Sequence, residues 1–160
     1  MSFLLDTNVV SEWVKPRPDP GVIAWLSSVD EDRVFLSVVT LAELRHGIER
    51  LSDSNRRKRL DDWLRNELPL RFENRVLPID DQVADGWGRV VAMQEAKGRP
   101  IGVMDAFIAA TANAHDLSVV TRNLRDFEII VAEVINPWTT HTEHRKYPCM
   151  KKRSAGVPSA

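Results

Sequence analysis

Four carboxylates stand where acids do little for folding and could do chemistry together: Asp6, Glu43, Asp105 and Asp126. Asp6 closes the apolar run Phe3-Leu4-Leu5 and is followed by Thr7 and Asn8. A buried strand would thus deliver an acid and then an amide at its carboxyl end, where open α/β sheets place their ligands. The other three acids follow or flank apolar runs in a comparable way, and dozens of residues separate one from the next. Only the fold can gather them. Once gathered, they would repel one another and raise their own pKa values unless cations sat among them. Mg²⁺ or Mn²⁺ resolves that conflict, because hard cations favour carboxylate oxygens and keep several waters. Such an ion eases deprotonation of water and neutralises charge on a phosphodiester and its leaving oxygen, so the chemistry implied is phosphodiester hydrolysis. The chain has neither the Gly-x-x-x-x-Gly-Lys-Ser/Thr loop of a nucleoside triphosphate site nor a Gly-x-Ser-x-Gly elbow.

Each acid also has a purely structural explanation. Glu43 follows Thr40 by three positions, the spacing of a capping box. Asp105 could cap the helix it heads, Asp126 could be a turn acid in Asn123-Leu124-Arg125-Asp126, and Asp6 could cap a helix after its strand.

The elements that must position these acids alternate short β-type runs with longer amphipathic stretches, the pattern of a parallel sheet with helices on both faces. Strands are expected at Phe3–Leu5, Val34–Leu36, Val76–Ile79, Ser118–Thr121 and Ile129–Ile135. Asp19-Pro20 opens a helix to about Ser28, since Asp caps and Pro is tolerated at the first helical position. A second begins near Thr40 and carries Leu41, Leu44, Ile48 and Leu51 as one stripe. A third spans about Asn55 to Leu68 with Arg56, Arg57, Lys58 and Arg59 on its outer side. A fourth, about Asp81 to Lys97, meets Gly98 as its stop, and a fifth, Met104 to His115, is apolar nearly all round and therefore central.

With 160 residues, 43% of them hydrophobic, the chain suits one domain with a substantial core. No run is long enough to span a membrane and no signal-peptide pattern opens the chain, so a cytoplasmic protein is expected. Its single cysteine, Cys149, cannot form an internal disulfide. The net charge of −1 hides an asymmetry: residues 1–140 hold 17 basic and 22 acidic side chains, the last twenty five basic and one acidic. A global basic field for nucleic acid is absent, so a polyanion would have to be handled by local patches, metal ions or a second subunit. Residues 141–160 form a basic tail expected to be poorly ordered on its own. His141, His144 and Cys149 in that tail lack the fourth ligand of a zinc site, and no metal is expected there.

Five blocks in order, Leu4-Leu5-Asp6-Thr7-Asn8-Val9-Val10-Ser11-Glu12, Ser37-Val38-Val39-Thr40-Leu41-Ala42-Glu43-Leu44-Arg45-His46-Gly47, Asp105-Ala106-Phe107-Ile108-Ala109-Ala110-Thr111-Ala112, Val120-Thr121-Arg122-Asn123-Leu124-Arg125-Asp126-Phe127 and Val134-Ile135-Asn136-Pro137-Trp138, carry a family likeness. Over about residues 2–140 the chain resembles the PIN-domain ribonucleases, and among them the VapC-type toxins of toxin–antitoxin modules, nearest the FitB-like branch. The resemblance implies a Rossmann-like α/β/α PIN fold around a central, mostly parallel sheet, and a Mg²⁺- or Mn²⁺-dependent endoribonuclease. Asp6, Glu43, Asp105 and Asp126 fall on the family's acidic positions, with Asp6 and Asp105 the expected direct metal ligands. Glu43 would act through water or as proton acceptor, and Asp126 is the position at which such families vary most. Thr7, Asn8, Thr121 and Asn123 match polar positions around the acids, where they could orient a carboxylate or water; strand-end and turn hydrogen bonding is their structural alternative.

The resemblance further implies a homodimer, a tRNA or rRNA substrate, and a cognate VapB- or FitA-like antitoxin whose C-terminal segment crosses the active-site groove. Operator DNA would be reached only through that antitoxin. The Asn55–Leu68 helix is the candidate wall of the antitoxin or RNA groove, with a solvated charged face as the alternative. Two rival readings remain: a catalytically silent PIN-like subunit of an antitoxin–DNA complex, and a nucleotide-binding or phosphatase-like α/β protein. The first would be marked by loss of Asp6 or Asp105. The second lacks its Gly-rich loop, and Asp6-Thr7-Asn8 lacks the second Asp of a phosphatase loop.

Overall fold

Leu4 and Leu5 are both wholly buried yet belong to different apolar clusters, and so do Val119 and Val120. Successive strand residues point to opposite faces, so a sheet with this pattern must be covered on both sides. The computed structural model, which describes residues 1–138, has that layered form. The expected tail, with His141, His144 and Cys149, lies outside the described residues.

Strands β1 (Phe3–Leu5), β2 (Val34–Ser37), β3 (Val76–Leu77), β4 (Ser118–Val120) and β5 (Val134–Ile135) form one sheet in the order β3-β2-β1-β4-β5. Every pairing is parallel, with Leu4 opposite Phe35 on one side and Val119 on the other. The strand order reverses between β1 and β4, and the crevice at such a switch point is where open sheets bind ligands. Asp6 and Thr121 follow the ends of those two strands, and the Asp6 N–H donates to the Val120 carbonyl across 2.9 Å.

The helices are α1 (Thr7–Glu12), α2 (Pro20–Ser28), α3 (Val38–Glu49), α4 (Ser54–Asp62), α5 (Leu68–Arg71), α6 (Asp81–Ala96), α7 (Val103–Ala114) and α8 (Leu124–Phe127). A π-helical turn, Trp63–Glu67, joins α4 to α5. Asp19 caps α2 through its carboxylate, as its place before Pro20 predicts. Beneath one face of the sheet, α1, α2, α3 and the α4–α5 run gather Val9, Val22, Ile48, Leu68 and Phe72. On the other face, α7 supplies Ile108, Ala109 and Ala112. It is the central helix its composition predicts.

Two expectations need correction. The fifth strand is confined to Val134–Ile135 rather than Ile129–Ile135, because Phe127 and Val131 are both buried at helical spacing while Ile129 is half exposed. The Phe127 carbonyl accepts from both Ile130 and Val131, so the β-branched run is a turn. Helix α3 starts at Val38, and Ser37, not Thr40, is its cap, accepting from the Val39 N–H at 3.1 Å. Helices α1 and α8 are too short to show a hydrophobic period.

Gly98 does end α6, with φ of +67°, and its own N–H donates to the Glu95 carbonyl. A Cβ there would touch nothing, so the cost of Gly98→Ala is conformational alone. We expect a loss of about 1 kcal/mol, read by denaturant melts.

Candidate active site

Asp6 is 5% exposed and serves as the N-cap of α1. Its Oδ1 accepts from the Thr7 N–H at 2.8 Å, and its Oδ2 accepts from the Thr121 hydroxyl at 2.7 Å and the Asn8 amide at 3.3 Å. Burial pushes its pKa up; the bonds from Thr121, Thr7 and Asn8 oppose that rise, and the charge of Asp126 adds to it. Capping and site membership are therefore the same position. The carboxylate is fixed by the backbone of one element and the hydroxyl of another.

Glu43 lies in the second turn of α3, half-buried, and accepts from the Thr7 hydroxyl at 2.7 Å. Thr40, wholly buried, stands 3.3 Å from the same hydroxyl oxygen. The capping-box explanation of Glu43 is thereby removed, since its oxygen is engaged by a residue 36 positions away. Asp105 is the third residue of α7, whose N-cap is Gly102 with no side-chain bond, so Asp105 is not a cap either. Its carboxyl is pushed up to about 6, first by burial and then by the negative charges of Asp6, Asp126 and Glu43. All four predicted acids thus share one electrostatic neighbourhood.

Asp126, exposed in the single turn of α8, accepts from the Asn123 side-chain amide. The Asn123 N–H donates to the Thr121 hydroxyl oxygen at 3.0 Å, and the Asn8 side-chain Oδ1 accepts from the Arg122 N–H at 3.4 Å. Thr7, Asn8, Thr121 and Asn123 each hold an acid or one of its holders.

The PIN-domain pattern matches residues 3–131, four-fifths of the chain. The chain belongs to the PIN-domain family. Toxin FitB of Neisseria gonorrhoeae is 38% identical to it over 85% of this chain and 98% of that protein. VapC ribonuclease Y4jK of Sinorhizobium fredii is 38% identical over 85% and 97%. The crystal structure of FitAcB from Neisseria gonorrhoeae superposes with a TM-score of 0.81 at 38% identity, covering 86% of this chain and 99% of that one.

In this PIN domain the acids are gathered as a field rather than a closed cage. As the side chains stand, no three of the described His, Cys, Asp or Glu residues are close enough to hold one ion. The donor set still fits a hard divalent cation, which binds through one or two carboxylates and retains waters. Asp105, raised by burial and further by the charges of Asp6, Asp126 and Glu43, is a carboxyl whose ionisation such a cation would favour.

Beside Glu43 a groove of 190 Å³ is bordered by Thr7, Gly47, Arg56, Leu60 and Trp63. Of the basic run expected to wall it, Arg56 does so, whereas Arg57 turns away to pair with Glu49. Sequence reading missed Glu12, buried at 2% exposure, which accepts from Lys15 and from the Asp19 N–H at 2.8 Å. It ties α1 to the start of α2. The signal was present, since an acid inside an apolar helix needs a partner. Among the described residues no helix is long and apolar enough to cross a membrane.

Proposed function

We propose that this protein is the toxin of a toxin–antitoxin module, an endoribonuclease that hydrolyses RNA with Mg²⁺ or Mn²⁺ held by Asp6 and Asp105. The observation that carries this reading is that four acids from separate elements converge: Asp105, half-buried and pushed up to about 6 first by burial, feels the charges of Asp6, Asp126 and Glu43. Perturbed titration with specific charged neighbours marks a functional cluster. Toxin and ribonuclease relatives match at 38% identity over nearly their full length, which supports the same chemistry here.

A bound divalent cation would supply positive charge to the phosphodiester and ease deprotonation of the attacking water. The chain's own residues do the rest. Thr121, Asn8 and the Thr7 N–H aim Asp6 and oppose the rise that burial imposes on it. The Thr7 hydroxyl occupies one oxygen of Glu43, which leaves the other to receive the proton of the water that attacks phosphorus. Asn123 holds Asp126 at the rim. Water adds its oxygen to phosphorus, the P–O bond to the departing ribose oxygen breaks, and a proton passes to that oxygen.

A cognate antitoxin of the VapB or FitA type is the proposed partner, its C-terminal segment lying in the groove beside Glu43 with a basic side chain drawn to the acids. The FitAcB neighbour supports that assembly. A homodimer is the proposed oligomer, and operator DNA would be engaged through the antitoxin. The protein freed of antitoxin is expected to cleave total tRNA or rRNA with Mg²⁺ or Mn²⁺ and to stop on chelation. Cleavage that survives chelator would overturn the metal mechanism, and inactivity on every RNA would favour a regulatory subunit.

Thr7→Val separates positioning from ligation. The variant keeps the N–H that Asp6 accepts but frees Glu43. We expect kcat to fall about tenfold while stability changes by about 1 kcal/mol or less. A variant as fast as wild type would remove Thr7 from the mechanism.

A further inference from the structure

At the Asp126 end of the site a cleft of 450 Å³ opens between the loop after α6 and the turn after α8, and nothing in the mechanism above uses it. Its polar lining comprises Arg99, Arg125, Gln94, Glu128 and Asp126. Neither Arg99 nor Arg125 makes an ion pair with any described residue. Gln94 is 4% exposed, and its amide makes no hydrogen bond to a described residue. Yet no wholly buried polar side-chain atom lacks a partner, so the amide must reach the cleft itself. An amide placed so can donate to and accept from whatever fills the cleft. The loop is built to hold this arrangement: Gly98 reverses the chain at φ of +67°, and the Arg99 N–H donates back to the Gln94 carbonyl at 2.9 Å.

Resting on the ribonuclease reading, we propose that this cleft takes one unpaired guanine base of the RNA, next to the cleaved phosphodiester. The lining charges argue for a base over a phosphate. With two arginines and two carboxylates in its lining the cleft is balanced in charge, whereas a track for the phosphate backbone would be basic throughout. Guanine presents two acceptors, O6 and N7, on one edge and two donors, N1–H and the N2 amine, on the next. The arginines match the acceptors and Glu128 matches the donors. The Gln94 amide can serve either edge. Pro100, Ile101 and Ile129 supply apolar surface for the ring face, and Ile129 stands 50% exposed. Single-stranded RNA is read in this way, by splayed bases that pack on one face and bond along their edges. Asp126 belongs to both cleft and acidic site, so an occupying base would sit directly beside the reacting phosphate.

The test has two arms. Wild-type cleavage ends mapped on total tRNA and rRNA with Mn²⁺ are expected to share a guanine at one fixed position beside the cut. Arg99→Ala/Arg125→Ala and, separately, Gln94→Leu should lower kcat/KM at those sites about ten- to a hundredfold and relax that position. Inosine, which lacks the N2 amine, should cost about tenfold at that position alone. Independently of cleavage, guanosine monophosphate should bind full-length wild-type protein about tenfold tighter than the adenosine, cytidine or uridine monophosphates, with the preference lost in the double variant. Failure of cleavage with guanine-selective binding intact would count against the ribonuclease reading and leave the cleft assigned. Equal binding of the four nucleotides, or folded variants with unchanged base preference, would overturn the cleft, as would variants whose defect is a changed oligomeric state.

Discussion

Asp105→Asn is expected to abolish metal-dependent RNA cleavage, by a hundredfold or more, and at the same time to raise the melting temperature of the metal-free protein at neutral pH. The two effects have one cause. Burial and the charges of Asp6, Asp126 and Glu43 hold the Asp105 carboxyl at about 6, above its ordinary 3.8. A group whose folded pKa is raised binds its proton more readily in the native state, so its ionisation destabilises the fold. That cost is fully present above pH 6 and is relieved as pH falls from about 6 toward 3.8. The asparagine variant should therefore be more stable than wild type at pH 7.5 and indistinguishable from it near pH 4. Two pH units would correspond to about 3 kcal/mol at most, and solvent screening of a half-exposed side chain reduces this to about 1 kcal/mol, a rise of about 2–4 °C.

Metal reverses the order. Adding Mn²⁺ should stabilise wild type by mass action and the variant far less, and wild-type uptake should weaken below pH 6 as Asp105 takes a proton. Parallel melts across pH, with and without Mn²⁺, check both signs. An Asp105→Asn protein that melts below wild type at pH 7.5 without metal would show that the acids do not repel.

The different legibility of fold and site follows from what each depends on. Buried parallel strands and long amphipathic helices leave runs and periods in the sequence, so β1, β2, β4, α6 and α7 can be placed to within a residue or two. The turn at Ile129–Val131 cannot, because β-branched residues write the same letters in a strand as in a loop anchored by Phe127. Tertiary context decides. The acids were legible as individual oddities, but whether Glu43 caps its own helix or faces Thr7 depends on a contact across 36 residues. The cleft around Gln94 was invisible for a related reason. A buried glutamine in an amphipathic helix has no pattern of its own, and its significance lies in the loop that folds back over it.

Substitutions at Asp6 should separate the two roles which that position combines. Asp6→Ala removes a carboxylate that accepts from the Thr7 N–H, the Thr121 hydroxyl and the Asn8 amide while capping α1. Three donors are left at a position only 5% exposed. We expect both loss of cleavage and a loss of stability of about 2–3 kcal/mol, from the cap and the orphaned donors together. Asp6→Asn differs in a defined way: its carbonyl oxygen can still accept from the Thr7 N–H, and it carries no charge for burial to penalise. Its stability should lie within about 1 kcal/mol of wild type, while cleavage is still lost because an uncharged amide is a poor ligand for a hard cation. Asp105→Ala, which breaks no cap and no hydrogen bond to a described residue, should lose cleavage without the stability penalty of Asp6→Ala. An Asp6→Asn protein that cleaves RNA would remove Asp6 from the metal site and leave it a cap, and an Asp6→Ala protein that melts with wild type would do the reverse.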